Sequence, residues 1–213
     1  SLMINKDIKS KYFPYQKVYT QNAELKSVNQ LTYNILTYLM DLPMPHLGYA
    51  PIDDNDYPRT RLIKYLYYDD NKPLSHALPT PQEKIALRYN PEKTDSRDMT
   101  QKGYRLFLQN QWTEKQLDAQ TILKITVGAG MSSMTTDKTI RQIYFTVLTN
   151  GKYENNVGST TRSWQIVQAI IESLNGVNMQ DMCGGFTYVK DYPIEDNHQN
   201  VGRQLIMQAE MIN

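Results

Sequence analysis

The sequence predicts an α+β fold: a mostly antiparallel sheet with two main amphipathic helices packed on it. Three observations carry this. Apolar residues alternate with polar ones along Thr121 to Val127 and again along Thr139 to Leu148, the period of half-buried strands. Apolar residues at steps of three and four mark a helix over roughly Asn22 to Met40 and another over Ser159 to Leu174. Strand candidates also follow one another through links without helices, which argues against an alternating parallel α/β fold.

The elements follow in chain order. Residues Ser1 to Gln21 read as an N-terminal arm, mixing Lys, Tyr and Pro14 without period, and residues 22–213 as a single α+β domain. In the first helix Leu25, Val28, Leu31, Ile35 and Leu39 form one stripe, Asn22 is the N-cap candidate, and Pro43 and Pro45 stop it. A loop rich in Pro and Asp runs from Asp41 to Pro58. Thr60 to Tyr68 reads as a strand covered on both faces, and Glu83 to Tyr89 as a strand with Ile85, Leu87 and Tyr89 on one side. Asp69 to Pro81 and Asn90 to Lys102 are irregular.

A strand over Tyr104 to Trp112 is expected next. The two patterned strands follow, linked by a small-residue loop from Gly128 to Lys138. Asn150-Gly151 marks a turn. The second helix turns Trp164, Val167, Ile171 and Leu174 inward, with Ser159, Thr160 and Thr161 as capping candidates. Asn175-Gly176 stops it, because glycine accepts the left-handed conformation. The last strands are Gly185 to Val189 and Val201 to Met211. In the latter Leu205, Met207, Ala209 and Met211 alternate with Gln204, Gln208 and Glu210, and Ile206 breaks the pattern.

Composition narrows the function. The net charge of +1 over 213 residues is not the footprint of a nucleic-acid binder, and basic positions are scattered without aromatic interleaving. The chain holds 16 Tyr against 4 Phe, a choice that suits sheets and interfaces alike, since tyrosine covers apolar surface and keeps a polar tip. The single cysteine, Cys183, allows no intramolecular disulfide and points to a reducing compartment or a virion. No run approaches the roughly 18 apolar residues of a membrane span, and Ser1 to Lys11 carries no apolar signal core.

Several short motifs carry chemistry on paper. Tyr67-Tyr68-Asp69-Asp70 matches the Tyr-x-Asp-Asp turn that holds magnesium in polymerase palms, but a third aspartate on a neighbouring strand is missing, so an acidic turn is the plainer reading. Asp53-Asp54-Asn55-Asp56 lacks the glycine and terminal glutamate of a calcium loop. Gly128-Ala129-Gly130 opens like a dinucleotide fingerprint, yet Ser133 stands at the third glycine position and a strand follows in place of a helix. His46, His76 and His198 fit no metal spacing. Cys183 and His198 lack a third member, and the cysteine reads as structural. The expectation is no catalytic residue, no cofactor and no metal site.

The stretch from Thr121 to Met211 resembles the tail-terminator and tail-completion (neck) proteins of tailed bacteriophages. The likeness lies in element order: strand, hairpin loop, a strand bearing Ile143-Tyr144-Phe145-Thr146-Val147, Arg162 near the start of a helix ending Leu174-Asn175-Gly176, then two strands, the last opening at Val201-Gly202-Arg203. The resemblance implies a structural virion protein, not an enzyme, that forms a ring, often a hexamer, at the head–tail junction or tail end. Its partners would be further copies of itself and other tail or connector proteins, with no membrane and no sequence-specific nucleic acid, and its place the virion and the host cytoplasm during assembly. Met131, Ser132, Ser133, Met134, Thr135 and Thr136 are the candidate subunit or partner contacts, because methionine adapts to varied surfaces. That loop and the N-terminal arm are expected to become ordered only on assembly, having little apolar area to offset the cost of ordering. The competing readings are a metal-dependent enzyme using Asp69 and Asp70, and a monomeric protein-binding module.

Overall fold

The computed structural model describes residues 30–42, 51–89, 103–108, 121–132, 138–179, 182–195 and 199–212. The first helix, α1, covers residues 30–39 of the described chain, and its stripe Leu31, Ile35 and Leu39 is buried as expected. Its predicted start at Asn22 and the N-terminal arm lie outside the described residues.

The segment expected as the strand Thr60 to Tyr68 is instead a helix, α2, over Pro58–Tyr67. Pro58 occupies the first turn, where its fixed φ suits a helix and its missing N–H costs nothing. Leu62, Ile63 and Leu66 are fully buried. A helix buried on a wide face shows the same near-continuous apolar run as a strand covered on both sides, so the pattern alone does not separate them. The buried Lys64 ammonium reaches Asn55 Oδ1 at 3.1 Å and Asp53 Oδ1 at 2.7 Å, which ties α2 to the preceding loop.

Glu83 to Tyr89 is likewise not a strand. A helix, α3, spans Pro81–Ala86 after a short 3₁₀ turn at Pro73–Ser75. Thr80 and Glu83 form a reciprocal capping box, with Thr80 N donating to Glu83 Oε2 at 2.7 Å and Glu83 N to Thr80 Oγ1 at 3.3 Å. Ile85 points outward, while Leu87 and Tyr89 are buried just beyond the helix.

Among the described residues the strands make one five-stranded sheet. They are β1 (Leu106–Phe107), β2 (Thr121–Ser132), β3 (Lys138–Asn150), β4 (Thr187–Glu195) and β5 (Asn200–Ile212), in the order β1-β2-β3-β5-β4. β1 runs parallel to β2 and every other pair is antiparallel. The expected strand Tyr104 to Trp112 shrinks to the two residues of β1, and residues 109–112 lie outside the described chain.

The expected loop at Gly128 is also corrected, since β2 continues through Gly128, Ala129 and Gly130 to Ser132, with a register shift between Val127 and Gly130. The glycines make room for side chains lying across the strand. A Cβ at 128 would stand 2.6 Å from the Tyr144 ring, and one at 130 would stand 2.5 Å from the Arg141 guanidinium. Asn150-Gly151 does not make a simple turn: Asn150 Oδ1 accepts from Lys152 N at 3.0 Å and caps a short helix, α4, over Gly151–Glu154.

The second long helix, α5, spans Arg162–Leu174, with Thr161 as N-cap and Gly176 at φ +80° just past its end. Its buried face is Ile166, Val167, Ala169, Ile170 and Leu174. The sequence placed Trp164 and Ile171 inward. Trp164 is 37% exposed and Ile171 only half-buried, so the true face is rotated by about one residue. These helices lie over the sheet face formed by Ile143, Phe145, Val147, Leu205, Met207, Ala209 and Met211 and share one core with it. That alternation was legible in the sequence. A smaller cluster of Tyr89, Phe107, Ile122 and Leu148 packs at the β1 end, with the Tyr89 and Phe107 rings stacked at 5.6 Å.

Arg162 is fully buried where α2 ends. Its guanidinium donates to the carbonyl oxygens of Tyr65 at 2.9 Å and Tyr68 at 2.7 Å, and to Asn156 Oδ1 at 3.1 Å. Arg105 donates to Leu66 O at 2.8 Å beside it. The two cations thus satisfy the C-terminal carbonyls of α2, where the helix dipole is negative.

Candidate functional site

β4 is the sheet element with the least burial. It lies at the sheet edge, and among the described residues only β5 pairs with it, from Thr187↔Gln208 to Glu195↔Val201. Most of its nine residues are exposed, on both faces of the strand. Tyr188, Val189 and Tyr192 stand in solvent. The register puts Tyr188 and Asp191 on the helix side, opposite Met207 and Leu205, and Lys190 and Tyr192 on the far side, opposite Ile206 and Gln204. Two exposed faces on an edge strand are unusual, because a strand ordinarily turns at least one face to a core.

A polar and aromatic cluster holds this edge in place. The Asp191 carboxylate accepts from Arg203 Nε at 2.9 Å and from Tyr188 Oη at 2.8 Å. Burial raises the Asp191 pKa, but the bonds from Arg203 and Tyr188 outweigh it and hold the carboxyl below its ordinary range. The Arg203 guanidinium in turn lies 4.8 Å from the centre of the Trp164 ring, a cation–π contact that explains why this tryptophan stays at the surface. On the other face Tyr192 Oη donates to Gln204, whose Nε2 donates to Thr146 Oγ1 at 3.0 Å.

A cleft of about 430 Å³ opens beside the cluster, lined by Glu154, Ser163, Pro193, Gly202 and Arg203 among others. Glu154 is buried there. Desolvation pushes its carboxyl above the usual range, partly offset by bonds from Ser163 N, at 3.0 Å, and Ser163 Oγ. Both bonds close the first turn of α5, so this carboxylate serves the helix start.

The residues singled out from sequence fall elsewhere. Met131 is 59% exposed near the far end of β2 and Ser132 ends that strand; Ser133, Met134, Thr135 and Thr136 lie outside the described residues. Asp69 makes two 2.8 Å bonds to Arg105, and its backbone oxygen accepts from Asn156 Nδ2 at 3.2 Å. Asp70 pairs with His76, whose ring stacks on Tyr68 at 4.2 Å. Burial raises the Asp70 carboxyl pKa, but bonds from His76 and the Lys72 amide hold it below the usual range. Both aspartates therefore serve the end of α2. Among the described residues no three His, Cys, Asp or Glu side chains gather to hold a metal ion. Cys183 is half-buried, with its amide donating to Glu210 O at 2.8 Å; His46 and His198 lie outside the described residues.

Asp69→Asn is expected to lose roughly 1–2 kcal/mol of stability, because it breaks a two-bond, half-buried ion pair. Asp70→Asn, at a more exposed position, stays within about 0.5 kcal/mol. Urea titrations of the two single variants check the difference. An Asp69→Asn loss no larger than that of Asp70→Asn would show that the bridge to Arg105 contributes nothing.

Tyr188, Val189 and Tyr192 were missed as site residues. The sequence reading ended the strand at Val189, and nothing local tells an edge strand from a central one. The available signal was Pro193 a few residues beyond Val189, since a proline within a strand belongs at an edge.

No family model and no curated protein matches this chain. Among solved structures, a chain of the "Virion of native gene transfer agent (GTA) particle" superposes on it with a TM-score of 0.34 and 10% identity, over 61% of this chain and 93% of that one. A likeness of that size carries no argument, and the functional reading rests on the geometry above.

Proposed function

We propose that this chain is a structural assembly protein of a tailed-phage virion, forming a ring at the head–tail junction or tail end. One observation carries the reading: β4 is ordered yet exposed on both faces, with Tyr188, Val189 and Tyr192 in solvent. Holding a strand in place costs about 1–2 kcal/mol per residue in backbone entropy. β4 offsets that cost with little apolar burial inside the chain. Large apolar side chains left exposed along one edge strand suit an interaction site, and tyrosine is enriched where partners bind. The element order from β2 to β5 supports the same class.

Met131, exposed near the far end of the β2–β3 hairpin, is a second contact point, suited to a tail or connector protein through its adaptable thioether. The metal-enzyme reading weakens, because the Asp69 and Asp70 carboxylates are engaged by Arg105 and His76. The reading is tested by sedimentation and electron microscopy of the purified chain. Closed rings are expected. A monomer at the highest soluble concentration would overturn the ring and leave the monomeric binding module.

A further inference from the structure

We infer that copies of this chain join head to tail, the β4 edge of one seated on the α1–α3 corner of the next. The inference rests on the assembly reading above and names the two surfaces that would build it. Two exposed apolar patches lie at opposite edges of the sheet. One is β4, with Tyr188, Val189 and Tyr192. The other joins Tyr33 of α1, 49% exposed, to Ile85 of α3, 57% exposed.

The second patch sits at the β1 edge. Leu106 N donates to Leu87 O at 3.1 Å and Tyr89 N to Leu106 O at 2.9 Å, so the chain leaving α3 runs along the outer side of β1. The β1 edge is thus already occupied, and what it offers a neighbour is side chains. Between α1 and α3 lies a cavity of about 170 Å³, floored by apolar residues such as Leu36, Met40 and Leu106. Its size suits one inserted side chain of a partner.

Charge supports the same pairing. Lys84, which also lines the cavity, is fully buried, and the hydrogen bond found for its ammonium is a long one of 3.3 Å to Asp41 O. Arg88 is exposed beside it, stacked at 5.0 Å over the Tyr33 ring, with no carboxylate within ion-pair distance among the described residues. This corner therefore favours oxygen acceptors. The β4 edge presents them: the tyrosine hydroxyls, and Glu195, exposed and without an ion pair among the described residues.

Symmetric pairing of two β4 edges is disfavoured. A register shift between Tyr188 and Lys190, the lysine itself and Pro193 all interrupt the edge, the devices by which edge strands avoid adding another strand. Two different patches at opposite edges make a heterologous contact, which closes into a ring if the rotation allows.

Mixing two surface variants tests this. Ile85→Glu and Val189→Glu are each expected to sediment as folded monomers, with circular dichroism melts like the parent. Mixed together, each supplies the intact patch the other lacks, so one-to-one dimers form and nothing larger. Isologous contacts predict no such rescue. In a second arm, Arg88→Glu and Glu195→Arg each weaken self-association at least about tenfold, and the two together in one chain restore it. Parent oligomers that persist in both glutamate variants would overturn the two surfaces while leaving the assembly reading standing. So would a mixture that stays monomeric while the parent assembles. A monomeric parent would remove both.

Discussion

Arg162→Ala is expected to be strongly damaging, costing about 3–5 kcal/mol, because several oxygens lose their donor at once and each unsatisfied one costs about 1–3 kcal/mol. The guanidinium is fully buried and donates to carbonyl oxygens at the end of α2 and to Asn156. Alanine would leave those buried and part-buried oxygens without this donor, and each unsatisfied group costs about 1–3 kcal/mol. It would also remove a cation from the negative end of α2. Burial pushes the Arg162 pKa down, while the nearby Asp69 and Asp70 carboxylates oppose that push. Arginine nonetheless stays charged at any pH where the protein folds. Arg162→Lys keeps a charge but supplies a point donor in place of a planar fork, and should recover only part of the loss. Urea denaturation of the three proteins decides it. A cost for Arg162→Ala below about 1 kcal/mol, under that of a single unsatisfied oxygen, would mean that water replaces the guanidinium there.

Ile170→Ala should cost roughly 2–5 kcal/mol, whereas Ile171→Ala should cost clearly less, nearer 1 kcal/mol. The reasoning is volumetric. Ile170 has no exposed surface and packs into the core shared with the Phe145 and Val147 face, so truncation leaves a cavity. Ile171 sits at the border of that core, half-buried, where water fills the space. Equal costs, or a larger one at Ile171, would restore the helix face read from the sequence and contradict the packing. Thermal melts of both single variants suffice, since the comparison is internal.

Two helix faces fit the apolar spacing of α5. Trp164, Val167, Ile171 and Leu174 make an apolar stripe by spacing alone, and so do Ile166, Val167, Ile170 and Leu174. Tryptophan's hydrophobicity favoured the first set, but Arg203 lies over the ring and gives it a use at the surface. The same ambiguity produced the error at Thr60 to Tyr68. Its apolar residues satisfy both periods, and Pro58 at the helix start was the cue to weigh. At α3, the Thr80 to Glu83 capping box marks a helix start, while three alternating residues, Ile85, Leu87 and Tyr89, are too few to define a strand.

The sequence by itself determined the sheet strands that make the core and the two long helices. There each side chain's environment follows from its position along one element: Ile143, Phe145 and Val147 face inward because every second residue does. Tertiary structure alone decided the strand order, and with it the candidate site. Whether β4 is an edge depends on β5 pairing with β3 on its other side, a contact between residues far apart in the chain. The join of Arg162 to the end of α2 is of the same kind, since Tyr65 and Tyr68, whose carbonyls it holds, lie more than ninety positions away. Local patterns record which face of an element is apolar; they carry no record of which element will cover it, because that choice is made by the packing of the whole chain.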